Sequence, residues 1–187
     1  MKHSIRTWTA FLLFLAAVAG AGAQDLAFSI GTWSFFRDSA GRLPSGEPGT
    51  FASLGATYGL SPRIEAGASL IPRLLPDTFD DLFVEEHIGI SLFGERARKS
   101  GEPAIYINAI LDVGVLFGAH KILSGSPEFS RAFFLRLTPI TLGTPYYGRR
   151  DRMLSTGLIY DYDSGSASLF MNIIAADFYL ASPADVR

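Results

Sequence analysis

Three ionisable residues sit in separate segments where apolar and small or polar residues alternate: Glu85 in LFVEEHIGIS, Asp112 in ILDVGVLF and Arg136 in FFLRL. Two carboxylates and a guanidinium within reach of one another can neutralise each other in a closed interior, or line a path for ions. A loop centred near Ser124 places Asp112 opposite Arg136. Folding back across the preceding connection places Glu85 opposite Asp112, and Glu65 in RIEAGASL is a further candidate for the same cluster. His87 shares the row of Glu85 and could act as a general base beside Ser91 or Ser69. His120 falls at a segment end, where solvation explains it, and His3 lies at the start of the chain. Asp77, Asp80 and Asp81 in PDTFDD could grip calcium weakly, but a solvated acidic loop accounts for them. There is no cysteine for thiolate sites or disulfides, and no glycine-rich nucleotide fingerprint. The expectation is a non-enzymatic protein with no catalytic, cofactor-binding or metal residues, and with Glu85, Asp112, Arg136 and Glu65 as an interior charge cluster.

The elements that must carry these residues follow a period of two. In AIYINAILDVGVLFGAH, the row Ile105, Ile107, Ala109, Leu111, Val113, Val115, Phe117 is wholly apolar. Its alternate row is Tyr106, Asn108, Ile110, Asp112, Gly114, Leu116, Gly118. Such alternation marks a β-strand. Strand-like segments recur at Leu26–Arg37, Thr50–Leu60, Arg63–Leu74, Leu82–Gly94, Ala104–Ala119, Phe129–Leu142, Arg152–Asp161 and Ala167–Leu180, separated by polar, Gly- and Pro-containing turns. Eight strands joined by short connections predict an all-β, antiparallel, up-and-down barrel, whose closure leaves no edge exposed.

The chemistry of the second row indicates which face meets which solvent. Glu65, Gly67 and Ser69 alternate with Ile64, Ala66, Ala68 and Leu70. Likewise Glu85, His87, Gly89 and Ser91 alternate with Val84, Ile88, Ile90 and Leu92, and Ser155, Gly157 and Asp161 with Leu154, Leu158 and Tyr160. A water-facing row would carry long charged chains freely. Small residues with a few pairable charges suit a narrow lumen, leaving the apolar row for lipid. The span from Ile105 to Phe117 is about 40 Å at about 3.3 Å per residue. Tilted by about 45° it gives roughly 28 Å, close to the lipid-facing band of about 25 Å. Phe35, Phe36, Tyr58, Phe83, Phe93, Phe117, Phe129, Tyr146, Tyr147, Tyr160, Tyr162, Phe178 and Tyr179 fall near strand ends, where interfacial girdles place aromatics. Trp33 fits either the lumen or a girdle. Glu86 and Asp177 fall on the apolar row, where a carboxylate near the interface costs about 0–1 kcal/mol and a bulge would turn either inward.

Composition agrees with an exported membrane barrel. Charged residues make up 18% of the chain, against about 25% in an average soluble domain, and a net charge of −2 gives no footprint for nucleic acid. The N-terminus MKHSIRTWTAFLLFLAAVAGAGAQ has a basic start, an apolar run and an Ala21-Gly22-Ala23 cleavage pattern. It reads as a signal peptide over residues 1–23, leaving 24–187 as the barrel domain.

With two alternating strands joined by the tight turn Ser61-Pro62, the stretch ATYGLSPRIEAGASL resembles the small eight-stranded outer-membrane β-barrels of diderm bacteria, the OmpA-type transmembrane domain and its relatives. The resemblance implies a porin-like cell-envelope protein in the outer membrane. Its partners would be outer-membrane lipids, the barrel-assembly machinery and any extracellular ligand met by the loops Ser39–Gly49, Pro76–Asp81, Lys121–Glu128 and Asp163–Ser166. The chain departs from that pattern where LASPADVR follows Phe178-Tyr179, and where ERARKSGEP and GTPYYGRR are long for periplasmic turns. The rival readings are a soluble periplasmic barrel holding an apolar ligand, with the Val113 row inward, and a lipid-modifying enzyme using His87.

Overall fold

The structure, a computed structural model, describes residues 26–37, 50–72, 82–94, 108–120, 128–144, 148–162, 165 and 167–180. The proposed signal peptide, Asp77, Asp80, Asp81 and nearly all of the proposed outer loops lie outside the described residues, as do Ile105 and Ile107. Nine strand segments are present: β1 Leu26–Arg37, β2 Thr50–Gly59, β3 Ile64–Pro72, β4 Leu82–Ser91, β5 Ile110–His120, β6 Glu128–Thr138, β7 Ile140–Thr144, β8 Arg149–Asp161 and β9 Ala167–Tyr179. No helix occurs among the described residues.

The strand order is β6-β5-β4-β3-β2-β1-β9-β8-β7, all neighbours are antiparallel, and β6 also pairs with β8. That last pairing closes the sheet. β6 and β7 are successive halves of one stave, because Pro139 lies between them and has no N–H to donate to the ladder. The fold is therefore a closed, eight-stranded antiparallel barrel. Both ends of the described chain meet at one rim, where Leu180 N donates to Leu26 O at 3.0 Å. At the same rim the Ser61-Pro62 turn is held by Ser61 Oγ, which accepts from Ile64 N at 3.0 Å. The other rim carries the connections β1–β2, β3–β4, β5–β6 and β8–β9; we call it the loop rim and the first the terminal rim.

Two irregularities control which way side chains point. Leu154 has φ 54°, and the β8–β9 register passes from Met153↔Ile174 to Ser155↔Asn172, leaving Leu154 and Ile173 outside the ladder. The β1–β9 register also shifts between Gly31 and Ser34. Each extra residue moves later side chains to the opposite face. On β9, Phe170 and Asn172 point inward before the irregularity, and Ala175, Asp177 and Tyr179 point inward after it.

The resulting barrel has its polarity reversed relative to a soluble protein. Ile88, Leu158 and Ile173 are 52%, 47% and 56% exposed on the outside, while Asp112, Asp177 and Arg150 are 0%, 0% and 1% exposed inside. Half of the interior is apolar, however. Trp33, Phe51, Ile71, Phe83, Leu116, Ala132, Phe134, Ile159 and Phe170 form one buried cluster beneath the loop rim. Trp33 stacks on Phe170 with centroids 4.5 Å apart, and Phe134 meets Trp33 edge-on at 5.7 Å. These positions place Trp33 in the lumen. Phe83 and Tyr179 are likewise buried inside, in place of the girdle expected for them, whereas Phe93, Tyr160, Tyr162 and Phe178 are exposed.

Candidate functional site

The chemistry of this protein is concentrated in the half of the lumen nearer the terminal rim. Its first cluster is built around Arg136 on β6. Asp112 on β5 is the register partner of Arg136, and Arg136 Nε donates to Asp112 Oδ2 at 2.6 Å. Arg136 NH2 lies 3.0 Å from Glu85 Oε1, which is also 2.9 Å from His87 Nδ1. Glu85 thus joins Asp112 and Arg136, but by a different route from the one the sequence suggested. Its strand partners are Ser69 and Leu116, and the residue opposite Asp112 is Gly89. The β4–β5 register is four residues away from the simple fold-back, so Glu85 reaches Arg136 across the lumen and not along the row through Asp112.

Glu65 belongs to a second cluster. Arg150 on β8 grips Glu65 with both terminal nitrogens, NH1 to Oε2 at 2.9 Å and NH2 to Oε1 at 2.8 Å. The same guanidinium donates from Nε and NH2 to Asp177 Oδ2 at 2.9 and 2.7 Å. Arg152 NH2 and Ser29 Oγ donate to the other oxygen of Asp177, at 2.9 and 2.7 Å. Asp177 is therefore a lumen residue, contrary to its expected place on the apolar row, because the β9 irregularity turns it inward. Glu86 does remain on the outer row, as the fifth residue of ten in β4.

Space for these groups is made by glycines on facing strands. A Cβ on Gly67 would strike the His87 imidazole, and one on Gly89 would lie between the Asp112 carboxylate and the Glu65 stem. Arg136 also ties the charged half to the aromatic half, since its guanidinium carbon sits 5.3 Å from the Trp33 ring and 5.4 Å from Phe134. An enclosed cavity of about 10 Å³ lies where the two clusters meet, bounded by Glu85, His87, Arg136, Arg152, Ser155 and Asn172 among others. That is room for about one water. Nearer the terminal rim, Asn108 Nδ2 donates to Ser91 Oγ at 3.1 Å, and the Thr138 and Ser155 hydroxyls lie 2.7 Å apart.

Chemically, this arrangement is a pair of neutralising networks. Each of Arg136, Arg150 and Arg152 has at least one carboxylate, and the Arg150–Glu65 pair is fork-to-fork. His87 is 5% exposed and faces Glu85; neither Ser69 nor Ser91 is a hydrogen-bond partner of it among the described residues. No grouping of three or more metal-type ligands occurs among the described residues. Arg150 escapes a sequence reading because GTPYYGRR looks like a turn, and Arg152 and Asp177 escape it because period-two counting fails across Leu154 and Ile173. One signal was available: the expected cluster of Glu65, Glu85 and Asp112 had a single arginine, and a closed lumen needs more cations than that.

Compared with protein-family models, characterised proteins and solved structures, the chain has no significant match.

Proposed function

We propose that this protein is an exported outer-membrane β-barrel of the small eight-stranded kind, with a structural or surface-interaction role and without catalytic turnover. One observation carries the reading: large apolar side chains cover the outside of a closed barrel while arginines and carboxylates fill it. In water, exposing that band would be unfavourable by about 25 cal/mol per Å² of apolar surface, and a contiguous patch of this extent is a membrane or partner surface. In a bilayer it is the favoured outer surface, and closure satisfies every backbone group that lipid could not. The filled lumen supports a plug as opposed to a pore, as expected for eight strands.

The soluble alternative required Val113 to face inward around an apolar ligand, yet Val113 is 37% exposed on the outer face. The enzymatic alternative required His87 to meet an acyl chain, yet it is closed inside the charged network. Outer-membrane lipids and the barrel-assembly machinery are the partners this reading implies, with any extracellular ligand at the loops.

The test uses the absence of cysteine. Single cysteines at Val113, Leu135, Ser91 and Ser155 are introduced into the full chain, which is then refolded into lipid vesicles. Cysteines replacing Val113 and Leu135 should react with bilayer-dissolved maleimides and resist water-soluble ones, while those replacing Ser91 and Ser155 resist the lipid-soluble reagents. A chain that stays in the aqueous phase without detergent, with Val113→Cys and Leu135→Cys freely labelled from water, refutes the proposal.

A further inference from the structure

Two arginines bracket the apolar band on one side of the barrel. Arg131, the fourth residue of β6 counted from the loop rim, is exposed on the outside. From there toward the terminal rim, the outer side of the stave carries Phe133, Leu135, Leu137, Ile140 and Leu142. Arg149 comes just past them: it pairs with Thr144 at the end of β7 and is also exposed. The eleven residue steps from Arg131 to Leu142 measure about 36 Å at about 3.3 Å each. Tilted by about 45° they give roughly 26 Å of height, close to a lipid-facing band of about 25 Å. In a bilayer the two guanidiniums therefore sit at opposite headgroup levels, where a long cationic side chain can lay its stem on apolar surface and keep its head among polar groups.

The surroundings of the two cations differ. Arg149 Nε lies 2.9 Å from Asp151 Oδ1, and its guanidinium carbon sits 5.4 Å from the Phe178 ring, so a carboxylate of the chain already faces it. Arg131 lines a groove of about 330 Å³ together with Val115, Phe117, Ala132 and Tyr162. These lining residues include one cation and no carboxylate. Register brings them together. Phe117 is the β5 partner of Arg131, and Tyr162 N, at the end of β8, donates to Arg131 O at 3.0 Å. Phe117, Arg131 and Tyr162 thus lie level across three staves, with Val115 one outward position deeper. Tyr162 is 60% exposed and meets Tyr160 edge-on at 5.6 Å. The groove is positive and hydroxyl-bearing at its loop-rim end and apolar below.

Resting on the membrane reading above, we propose that this groove binds one lipid with an anionic phosphate headgroup, drawn from the leaflet at the loop rim. The guanidinium fork offers paired N–H donors to phosphate oxygens. The Tyr162 hydroxyl is a further donor at the same level, and an acyl chain lies along Phe117 and Val115. A free phosphate ion matches only the upper end of the groove, because the walls below the guanidinium are apolar. A zwitterionic lipid carries its own ammonium, which competes with Arg131 for the phosphate, so a headgroup of net negative charge is favoured.

The full chain is refolded in uncharged sugar-detergent micelles and given phosphatidylglycerol or phosphatidylcholine with identical acyl chains, and the lipid it retains is counted by native mass spectrometry. One phosphatidylglycerol should stay bound at concentrations where phosphatidylcholine does not, and inorganic phosphate in large excess should not displace it. Arg131→Met should lower that retention roughly tenfold, as for the loss of a charge-assisted hydrogen bond. Arg131→Lys, which keeps the charge without the fork, should lose less, and Arg149→Met should retain the lipid fully. Equal retention of the two lipids by the unaltered chain, displacement by inorganic phosphate, or a loss in Arg131→Met no greater than in Arg149→Met overturns the site and leaves the membrane reading standing. A chain that is soluble without detergent and retains neither lipid overturns both.

Discussion

Replacing Arg150 by Met should be among the most damaging single changes in the barrel. The guanidinium makes two hydrogen bonds to Glu65 and two to Asp177, and all three groups are buried. Charge-assisted hydrogen bonds contribute about 1.5–3 kcal/mol each, so adding four would give a loss of about 6–12 kcal/mol. That sum overshoots, because the folded state also bears the desolvation of the arginine itself. Breaking a buried ion pair by removing one partner costs about 3–5 kcal/mol, and the structure tells how it divides. Asp177 keeps Arg152 and Ser29, whereas Glu65 loses its charge partner. We therefore expect Arg150→Met to destabilise by about 4 kcal/mol, mostly through Glu65. Arg150→Met with Glu65→Met should recover more than half of it, since an apolar pair of similar volume is close to neutral. The assay is reversible urea unfolding from lipid vesicles of residues 24–187, read by the fluorescence of Trp33, the single tryptophan of that segment. Arg149→Met is the internal control: Arg149 pairs with Asp151 at 2.9 Å but is 54% exposed, so its loss should be below about 1 kcal/mol. Equal effects of Arg150→Met and Arg149→Met, or no recovery in the double variant, would refute the view that the lumen charges are mutually neutralising.

Three other outcomes follow from the packing and the orientation. Gly67→Ala forces a methyl group into the His87 ring and should cost about 1–3 kcal/mol in the same unfolding assay, and Gly67→Ala should cost less when it is added to His87→Ala. Leu135→Arg puts a charge on the apolar outside and should cost about 2–4 kcal/mol in vesicles; a neutral or stabilising effect would mean that this face meets water. Trp33→Ala empties the centre of the aromatic stack with Phe170 and Phe134 and should cost about 3–5 kcal/mol, with loss of the near-ultraviolet circular dichroism of the packed rings.

Much of this barrel is legible in the sequence, and the failures have physical causes. Alternation alone locates β1 as Leu26–Arg37 and the core of every other strand, because an apolar outer row and a row facing a crowded lumen differ so sharply in chemistry. The Asp112–Arg136 pairing is also legible, since a short loop fixes the register of a hairpin. The Glu85–Asp112 pairing fails because the connection from β4 to β5 is long, and its length carries no register. Asp177 fails because one extra residue at Ile173 reverses all later positions, and no local propensity announces a bulge. Arg150 is lost at a boundary, where Arg149-Arg150 resembles a solvated turn, and Arg152, the first residue of the expected strand, is lost because the inward row changes parity at Leu154.

The glycines carry register information that alternation lacks. Along the lumen-facing rows, four of them sit directly opposite a bulky or charged residue: Gly67 faces His87, Gly89 faces Asp112, Gly114 faces Phe134 and Gly157 faces Phe170. A Cβ at any of the four would collide with the side chain across from it. Eight strands enclose a narrow lumen, and at these four levels the glycine leaves the room that the side chain beside it fills. The same constraint ranks candidate registers. Setting Glu85 opposite Asp112 would put His87 opposite Ile110 and Ser91 opposite Tyr106, with no glycine to receive the imidazole. Sliding the strands by four residues brings Gly89 to Asp112 and His87 to Gly114 at once, and that is the register β4 and β5 adopt. Between β4 and β5, side-chain volume therefore favours the register that sets Glu85 away from Asp112, and Glu85 meets Arg136 across the lumen within that register.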